Sequence, residues 1–300
     1  MKAVLLKSYG DIDQLAFDEV PVPQPGAGEV LIKIEASAIN PFDLILRQGY
    51  VARIIPLPLP AILGGDAAGT IAALGAGVTG LAVGDRVVGD FPPNGKGAYA
   101  EFGVLAASSV AKLPSNLSYE QGASLVKVGI TGRQTVDALG VKPGDRVLIS
   151  GALGMVGRAA IQYLQEIGAK AVAGVRPERL EEACSLAGEA IDITKPPVEA
   201  AFDFAISTAP AVAENLVAHV RDGGQIASIV PVPMQVNADR RVTIRELIHR
   251  TDVTTLDAVL KAASEGVLVI PIAKTLPLGE AAGAHSVVAG GVQGKVVLKH

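Results

Sequence analysis

Three hundred residues suffice for one large or two medium domains, and 49% hydrophobic content with 34 glycines suits an alanine- and valine-rich α/β chain with many tight turns. A net charge of −4 without long basic runs argues against nucleic acid as a partner, and no apolar stretch reaches the length of a membrane span. Cys184 is the only cysteine, which excludes internal disulfides and cysteine-rich zinc sites, so the chain reads as soluble and cytoplasmic.

The N-terminal Met-Lys-Ala-Val-Leu-Leu-Lys has no small-residue cleavage pattern and reads as a strand rather than a signal. Further β-like runs follow at 30–36, 69–74 and 86–88, separated by Pro and Gly clusters at 21–28, 56–60 and 92–97. That texture predicts a mostly β, partly antiparallel, barrel-like domain. From Tyr119 the pattern changes to regular strand–helix alternation. Strands are expected at 146–150, 171–175, 190–193, 202–207 and 224–230, and helices at 155–168, 177–187 and 210–221. Residues 254–265 read as a helix and 242–248 as a further strand, whose edge could pair with a second copy to give a homodimer. The run 294–298 is a strand better returned to the first domain. The expected fold is therefore α/β: a doubly wound parallel-sheet cofactor domain, 119–268, inserted in a discontinuous domain made of 1–118 and 269–300.

The segment Arg146-Val-Leu-Ile-Ser-Gly-Ala-Leu-Gly-Met-Val-Gly157 carries the most chemistry. An apolar strand runs directly into glycines 151, 154 and 157 and then into a helix. Aligned on its last two glycines the motif is A-x-G-x-x-G, with Ala152 where a dinucleotide fingerprint has its first glycine. Gly154 lets backbone approach a pyrophosphate and Gly157 lets the helix pack closely on the strand. The phosphates would then face Ala152, Leu153, Gly154, Met155 and Val156, on the unpaired N–H groups of the helix start. The next strand, which contains Gly174, ends in Arg176, with Arg179 three residues on, where an NAD enzyme usually carries Asp or Glu. Guanidinium groups bind a 2′-phosphate that a carboxylate would repel, so the expected cofactor is NADPH. The alternative is that both arginines are solvated and pair with Glu178, Glu181 or Glu182.

Several segments together resemble the medium-chain dehydrogenase/reductase superfamily, and within it the zinc-independent quinone oxidoreductase branch. They are Asn40-Pro-Phe-Asp-Leu-Ile-Leu-Arg-Gln-Gly49, Leu63-Gly-Gly-Asp-Ala-Ala-Gly69, Val83-Gly-Asp-Arg-Val87, Gly97-Ala-Tyr-Ala-Glu101, Gly129-Ile-Thr131, the fingerprint, and Gly294-Lys-Val-Val-Leu298. The resemblance implies a GroES-like substrate domain, a Rossmann cofactor domain, NADPH, a homodimer, and reduction of quinones or α,β-unsaturated carbonyls. Zinc-dependent relatives use a catalytic Cys and His and a four-cysteine lobe; here the equivalent regions lack Cys and the four histidines are scattered, so no metal is expected. Two other readings stay open: a cofactor-binding redox sensor or structural protein with little turnover, and an enoyl-thioester reductase.

The resemblance carries Asn40 and Thr131 onto positions facing the nicotinamide; a helix N-cap and helix back-bonding are their structural alternatives. Thr208, just past the strand at 202–207, joins the cofactor-facing set. Lys295 either reaches cofactor or substrate, or is an exposed strand lysine. Lys127 holds a position that is apolar in the family, as a donor to a developing enolate, a handle for a substrate carboxylate, or a solvated lysine at a helix start. Tyr50 is a further donor or a packing residue. Ile45 stands where some quinone reductases have Tyr, and Arg133 replaces an aromatic. Asp43 and Arg47, at i and i+4, are expected to pair, Asp66 to satisfy turn amides, and His285 to be structural.

Overall fold

The computed structural model describes residues 1–300 apart from the side chain of Ala211. The chain divides into two compact units. The first comprises Met1–Lys127, Thr251–Glu265 and Ile270–His300, and the second Val128–Arg250 with Gly266–Val269.

Along the first unit run β1 (Lys2–Leu6), β2 (Leu15–Glu19), β3 (Glu29–Ile39), α1 (Pro41–Gln48), β4 (Ala61–Ile62), β5 (Asp66–Leu74), β6 (Arg86–Asp90), β7 (Phe102–Ala106), β8 (Val110–Lys112) and the start of α2 (Tyr119–Leu139). The second unit takes the rest of α2, then β9 (Arg146–Ser150), α3 (Met155–Glu166), β10 (Lys170–Val175), α4 (Leu180–Ala187), β11 (Glu189–Asp192), β12 (Phe202–Ser207), α5 (Ala213–His219), β13 (Val220–Ser228) and β14 (Thr243–Glu246). The chain returns to the first unit through α6 (Val253–Ser264), β15 (Ile272–Pro277), α7 (Ala281–Ala289) and β16 (Lys295–Lys299). The helix expected to open the cofactor domain thus begins in the first unit, and α6 lies in the first unit too.

In the first unit β3 is the organising strand. Its eleven residues pair antiparallel with β5 along one edge, and with β7 and β16 along the other. The sheet runs β15-β16-β3-β5-β6-β8 with β7 attached to β3, and a small sheet β2-β1-β4 stands apart. β3 is longer than the 30–36 run expected. It continues through Ser37, Ala38 and Ile39, all buried, so the strand delivers Asn40 to the first turn of α1. β5 likewise starts at Asp66, three residues before the apolar run announced it, which puts that acid in a strand rather than a turn. Val4, Leu6, Ile39, Leu46, Leu63, Tyr99 and Leu298 form one core cluster; Ile32, Ile34, Ile71, Phe91 and Leu105 anchor another.

The second unit is built on six parallel strands in the order β11-β10-β9-β12-β13-β14. Counted from β9 this is the doubly wound order 3-2-1-4-5-6, whose switch point lies between β9 and β12. The strands are short and apolar because helices cover them: Val147, Leu148 and Ile149 are fully buried, as are Val172, Ala205 and Ile226. Two helices are shorter than their sequence patterns suggest. Pro177 and Pro210 each open a 3-10 turn ahead of α4 and α5, because proline fixes φ and offers no N–H to an incoming turn. No described helix is long and apolar enough to cross a membrane.

Candidate functional site

The carboxyl ends of β9 and β12 present Ser150 and Ser207, and the chain after β9 is the glycine turn. Gly151 adopts φ +72°, and a Cβ there would meet Thr208 Oγ1 at 2.3 Å. A Cβ on Gly157 would stand 2.4 Å from the Gly151 carbonyl oxygen, so only glycine lets the first turn of α3 press against the end of β9. Gly154 is the N-cap of α3, extended and with no side-chain cap. Its own amide donates to the Gly151 carbonyl and Arg158 donates back to Gly154, while no backbone carbonyl accepts from Met155, Val156 or Gly157. Gly154 is exposed, Leu153, Met155 and Val156 are half-buried, and Ala152 is buried. The helix start is therefore an accessible row of unpaired N–H groups at the positive end of a twelve-residue helix, which is what a diphosphate requires.

Thr208 makes no such opening. Its hydroxyl donates to the Ser150 carbonyl at 2.8 Å, fastening the end of β12 to the turn. Gly174 is buried in β10 and lies close to Ile193 and the Ile149 carbonyl. At the tip of β10, Arg176 is mostly exposed and pairs with Glu178 at 3.4 Å; Arg179 pairs with Glu182 at 2.6 Å. Thr131 is buried on α2, and its hydroxyl lies 2.9 Å from His249 Nδ1.

The first unit holds a second polar site of a different kind. Asn40 is the N-cap of α1, and its amide N–H donates to Asp43 Oδ2 at 2.8 Å. Tyr99, fully buried, donates its hydroxyl to the same oxygen at 3.0 Å. The Asn40 side chain does not cap the helix. It donates to Asp66 Oδ2 at 3.0 Å and accepts from Lys295 Nζ at 2.7 Å. Lys295 is 3% exposed and places its other donors on the Ile39 carbonyl, 3.1 Å, and on Asp66, 3.3 Å. It is neither an exposed strand lysine nor a projecting one: the ammonium is locked beneath β3. Burial pushes its pKa down against the pull of Asp66. Burial also lifts the Asp43 carboxyl to about 6, opposed by the Asn40 amide.

Lys127 is not at a helix start. It lies within α2 among the buried residues 122–126 and 128–132, with a side chain 20% exposed. Its ammonium meets Asp90 Oδ1 at 2.8 Å, and the Thr251 hydroxyl bonds to Asp90 Oδ2. Burial alone would lower the lysine pKa, but the charges of Asp90, Asp66 and Asp43 more than offset it and the net shift is upward. Lys127 borders a small pocket of about 20 Å³, room for about one water, whose walls include Phe42, Leu46, Leu57, Leu63 and Phe91. Tyr50 stands apart, exposed in the turn after α1.

The expected Asp43–Arg47 pair does not form. Asp43 turns back to the helix start, while Arg47 donates to the Gly10 carbonyl at 2.8 Å and reaches Asp11. Asp66 serves side chains rather than turn amides, and its Oδ1 has no hydrogen-bond partner. Tyr99, Asp90, Thr251 and His249 escaped the sequence reading. For Asp90 a signal existed, an acid closing the apolar run Val87-Val-Gly-Asp90; nothing local marks the other three. His285 is fully buried against Tyr99, with both ring nitrogens unpartnered.

Two family models match the chain, the alcohol dehydrogenase GroES-like domain over residues 26–115 and the zinc-binding dehydrogenase over 186–298. The structure is similar over its whole length to that of an NAD-dependent alcohol dehydrogenase, with 30% identity, a TM-score of 0.89 and 100% of both chains covered. It is equally similar to the quinone oxidoreductase of Coxiella burnetii, with 28% identity, a TM-score of 0.89, and 100% and 99% covered. The chain belongs to the medium-chain dehydrogenase/reductase superfamily, in its quinone oxidoreductase branch. The mitochondrial NAD(P)H oxidoreductase RTN4IP1 of Dictyostelium discoideum is 33% identical over 55% of the chain, a match that spans half of that relative's length. The zinc named in the second family model has no matching donor set: among the described residues no three His, Cys, Asp or Glu side chains stand close enough together to hold a metal.

Proposed function

We propose that this member of the superfamily is an NADPH-dependent oxidoreductase that delivers hydride to a quinone or an α,β-unsaturated carbonyl without zinc. The observation that carries the reading is the row of unpaired amides at Met155–Gly157, half-buried at Met155 and Val156 and buried at Gly157, beside exposed Gly154 at the switch point of a doubly wound sheet. Ala152, Leu153, Gly154, Met155 and Val156 would receive the diphosphate, with Gly174 letting β10 pack closely on Ile193 beneath the adenosine end. Arg176 and Arg179 would receive the 2′-phosphate. Their present partners do not oppose this, because exposed ion pairs such as Arg176–Glu178 hold little free energy and exchange readily for a doubly charged phosphate. Asn40, Thr131, Thr208 and Lys295 complete the proposed cofactor-facing set, with Lys295 and Thr208 acting through the side chain and backbone they hold. Tyr50 is a proposed donor to the acceptor.

Reduced nicotinamide supplies the hydride in this chemistry. A conjugated acceptor delocalises the incoming charge itself, so neither a metal nor a nucleophile is needed, and orientation with fixed donors suffices. A cytoplasmic homodimer completes the reading, supported by the open outer edge of β14, the last strand of its sheet. The test is a pair of titrations, NADPH and NADH on wild type and Arg176→Ala, with NADPH oxidation followed against quinones and enones. We expect NADPH to bind at least tenfold more tightly than NADH and Arg176→Ala to erase most of that margin. Equal affinities in wild type would overturn the cofactor assignment. A flat NADPH absorbance across the panel would overturn the enzyme.

A further inference from the structure

Resting on that reading and deepening it, we propose that the Arg158 guanidinium is a binding group for the diphosphate, adding a side-chain cation to the amides of Met155–Gly157 and serving NADPH and NADH alike.

Arg158 differs from the other guanidiniums near the glycine turn. Arg176 and Arg179 each face a carboxylate, that of Glu178 and that of Glu182. Among the described residues none pairs with the Arg158 guanidinium, and its Nε is buried without a hydrogen-bond partner. The residue is half-buried and closes the first turn of α3. A charged donor taken partly out of water and left unpaired is costly to hold. Its place on the helix adds to that cost. The start of a helix is its positive end, which repels a cation, and the first turn of α3 carries no acidic side chain in compensation. An anion at the helix start relieves both penalties together.

The helix also gives the side chain its direction. Side chains of an α-helix lean toward the N-terminus and cover the turn before their own Cα. For Arg158 that turn is Gly154–Gly157, and the glycines at its two ends leave room. A Cβ on Gly154 would meet only the Gly151 carbonyl oxygen, at 3.2 Å. The other direction along the same face is taken. One turn on, the Gln162 amide donates to the Val269 carbonyl at 3.1 Å and its oxygen accepts from Val269 N–H at 2.8 Å. Two turns on, Gln165 donates to the Leu186 carbonyl at 3.2 Å. Gly154 lies about 6 Å back along the axis, within the span of an extended arginine. A guanidinium with its fork free matches two oxygens of one phosphate. Covering its own helix start, it meets a group that both dinucleotides carry. Arg158 thus raises affinity for either cofactor, and the choice between them stays with Arg176 and Arg179.

The test compares four ligands by calorimetric titration of the full chain. NADPH, NADH and ADP-ribose all carry the diphosphate; adenosine 2′-monophosphate carries only the 2′-phosphate. Arg158→Met removes the charge and keeps a good helix former. It is expected to weaken NADPH, NADH and ADP-ribose by one common factor of about 10- to 100-fold, the range of a charged hydrogen bond, and to leave adenosine 2′-monophosphate unchanged. Arg158→Lys keeps a cation without the fork and should lose less. A residue that merely supports the helix would lower the urea midpoint when replaced. Here the midpoint should hold or rise, because a repelled, unpaired cation has gone. Dinucleotide affinities that Arg158→Met leaves unchanged would overturn the proposal, as would a fall in the urea midpoint. A loss confined to NADPH and adenosine 2′-monophosphate would overturn it too, by moving the guanidinium to the 2′-phosphate. Failure of wild type itself to bind NADPH, NADH and ADP-ribose would overturn the cofactor reading, and Arg158 with it.

Discussion

The two polar centres of this protein are built on opposite plans. In the second unit the donors are backbone amides left unpaired at Met155–Gly157, and the nearby guanidiniums are at the surface. In the first unit the polar groups are side chains, nearly all buried, and Lys295 spends its three donors on Ile39, Asn40 and Asp66. The open centre costs the fold little and is free to take a ligand. The closed one is electrostatically committed and can act only through what it holds in place. Breaking each centre should therefore look different: loss of stability in the first unit, loss of ligand in the second.

The largest effect is expected at Lys295. Lys295→Met leaves Asp66 buried with its ion-pair partner gone, hydrogen-bonded by Asn40 and attracted by the more distant Lys127, and breaking a buried pair in this way costs about 3–5 kcal/mol. Urea unfolding checks it. The double variant K295M/D66N should recover a large part of the loss, since the penalty lies in the orphaned charge and not in the missing pair. If the double variant is as unstable as the single, the cluster is held by packing.

Next in size is an acid limb of the stability curve. Burial holds the His285 pKa down to about 3, far below the range of an unfolded histidine. Above about pH 6.5 both states are neutral and the group contributes no slope. As pH falls from there toward 3, only the unfolded state takes up the proton, so stability is lost at up to about 1.4 kcal/mol per pH unit. Asp43 works in the other sense: its raised pKa lets the folded state bind a proton first, which adds stability as pH falls through about 6. His285→Leu should flatten the acid limb by close to one proton, measured by urea midpoints from pH 7 to 4. An unchanged slope would mean that the ring finds a partner. His300, held near 4 by burial, contributes to the slope that remains, against Asp43.

Gly157→Ala moves the attack to the open centre. Its methyl would press on the Gly151 carbonyl at 2.4 Å, and overpacking of this kind costs about 1–3 kcal/mol. The turn must shift to relieve it, so nucleotide affinity should fall by more than stability alone explains. Calorimetric titration of the folded variant with NADPH reads this directly.

How much of each centre could be read from the chain follows from how far apart its parts lie in sequence. The glycine turn is local: a strand, three glycines and a helix within twelve residues, so spacing alone located it. The parallel sheet was legible for the same reason, as apolar runs such as 146–150 and 202–207 recur with helices between. The closed centre joins residues 40, 43, 66, 99 and 295, on four separate segments, and no window of sequence contains it. Asn40 and Lys295 were singled out through the family resemblance, yet their mutual contact, and Tyr99 beneath them, came only with the register of β3 against β5 and β16. For Lys127 the sequence leaves a donor, a carboxylate handle and a solvated lysine open, and lysine's rarity in cores favours the last; Asp90, thirty-seven positions away, is what holds it largely buried.

The smallest effect separates the two roles of the exposed arginine. Arg176 and Glu178 face each other at 3.4 Å with side chains 71% and 63% exposed, so their pairing contributes little to folding. Glu178→Ala should leave the urea midpoint where it is. It removes a negative charge from the place where a 2′-phosphate would dock, and releases the guanidinium that would receive it. NADPH affinity should therefore rise by a few fold while NADH affinity hardly moves, and the gain should shrink at high salt as exposed charges are screened. A parallel rise for both cofactors would point to a change in the shape of the β10 tip. No change for either would place the adenosine end away from Arg176, and the open centre would then select its ligand through the helix amides alone.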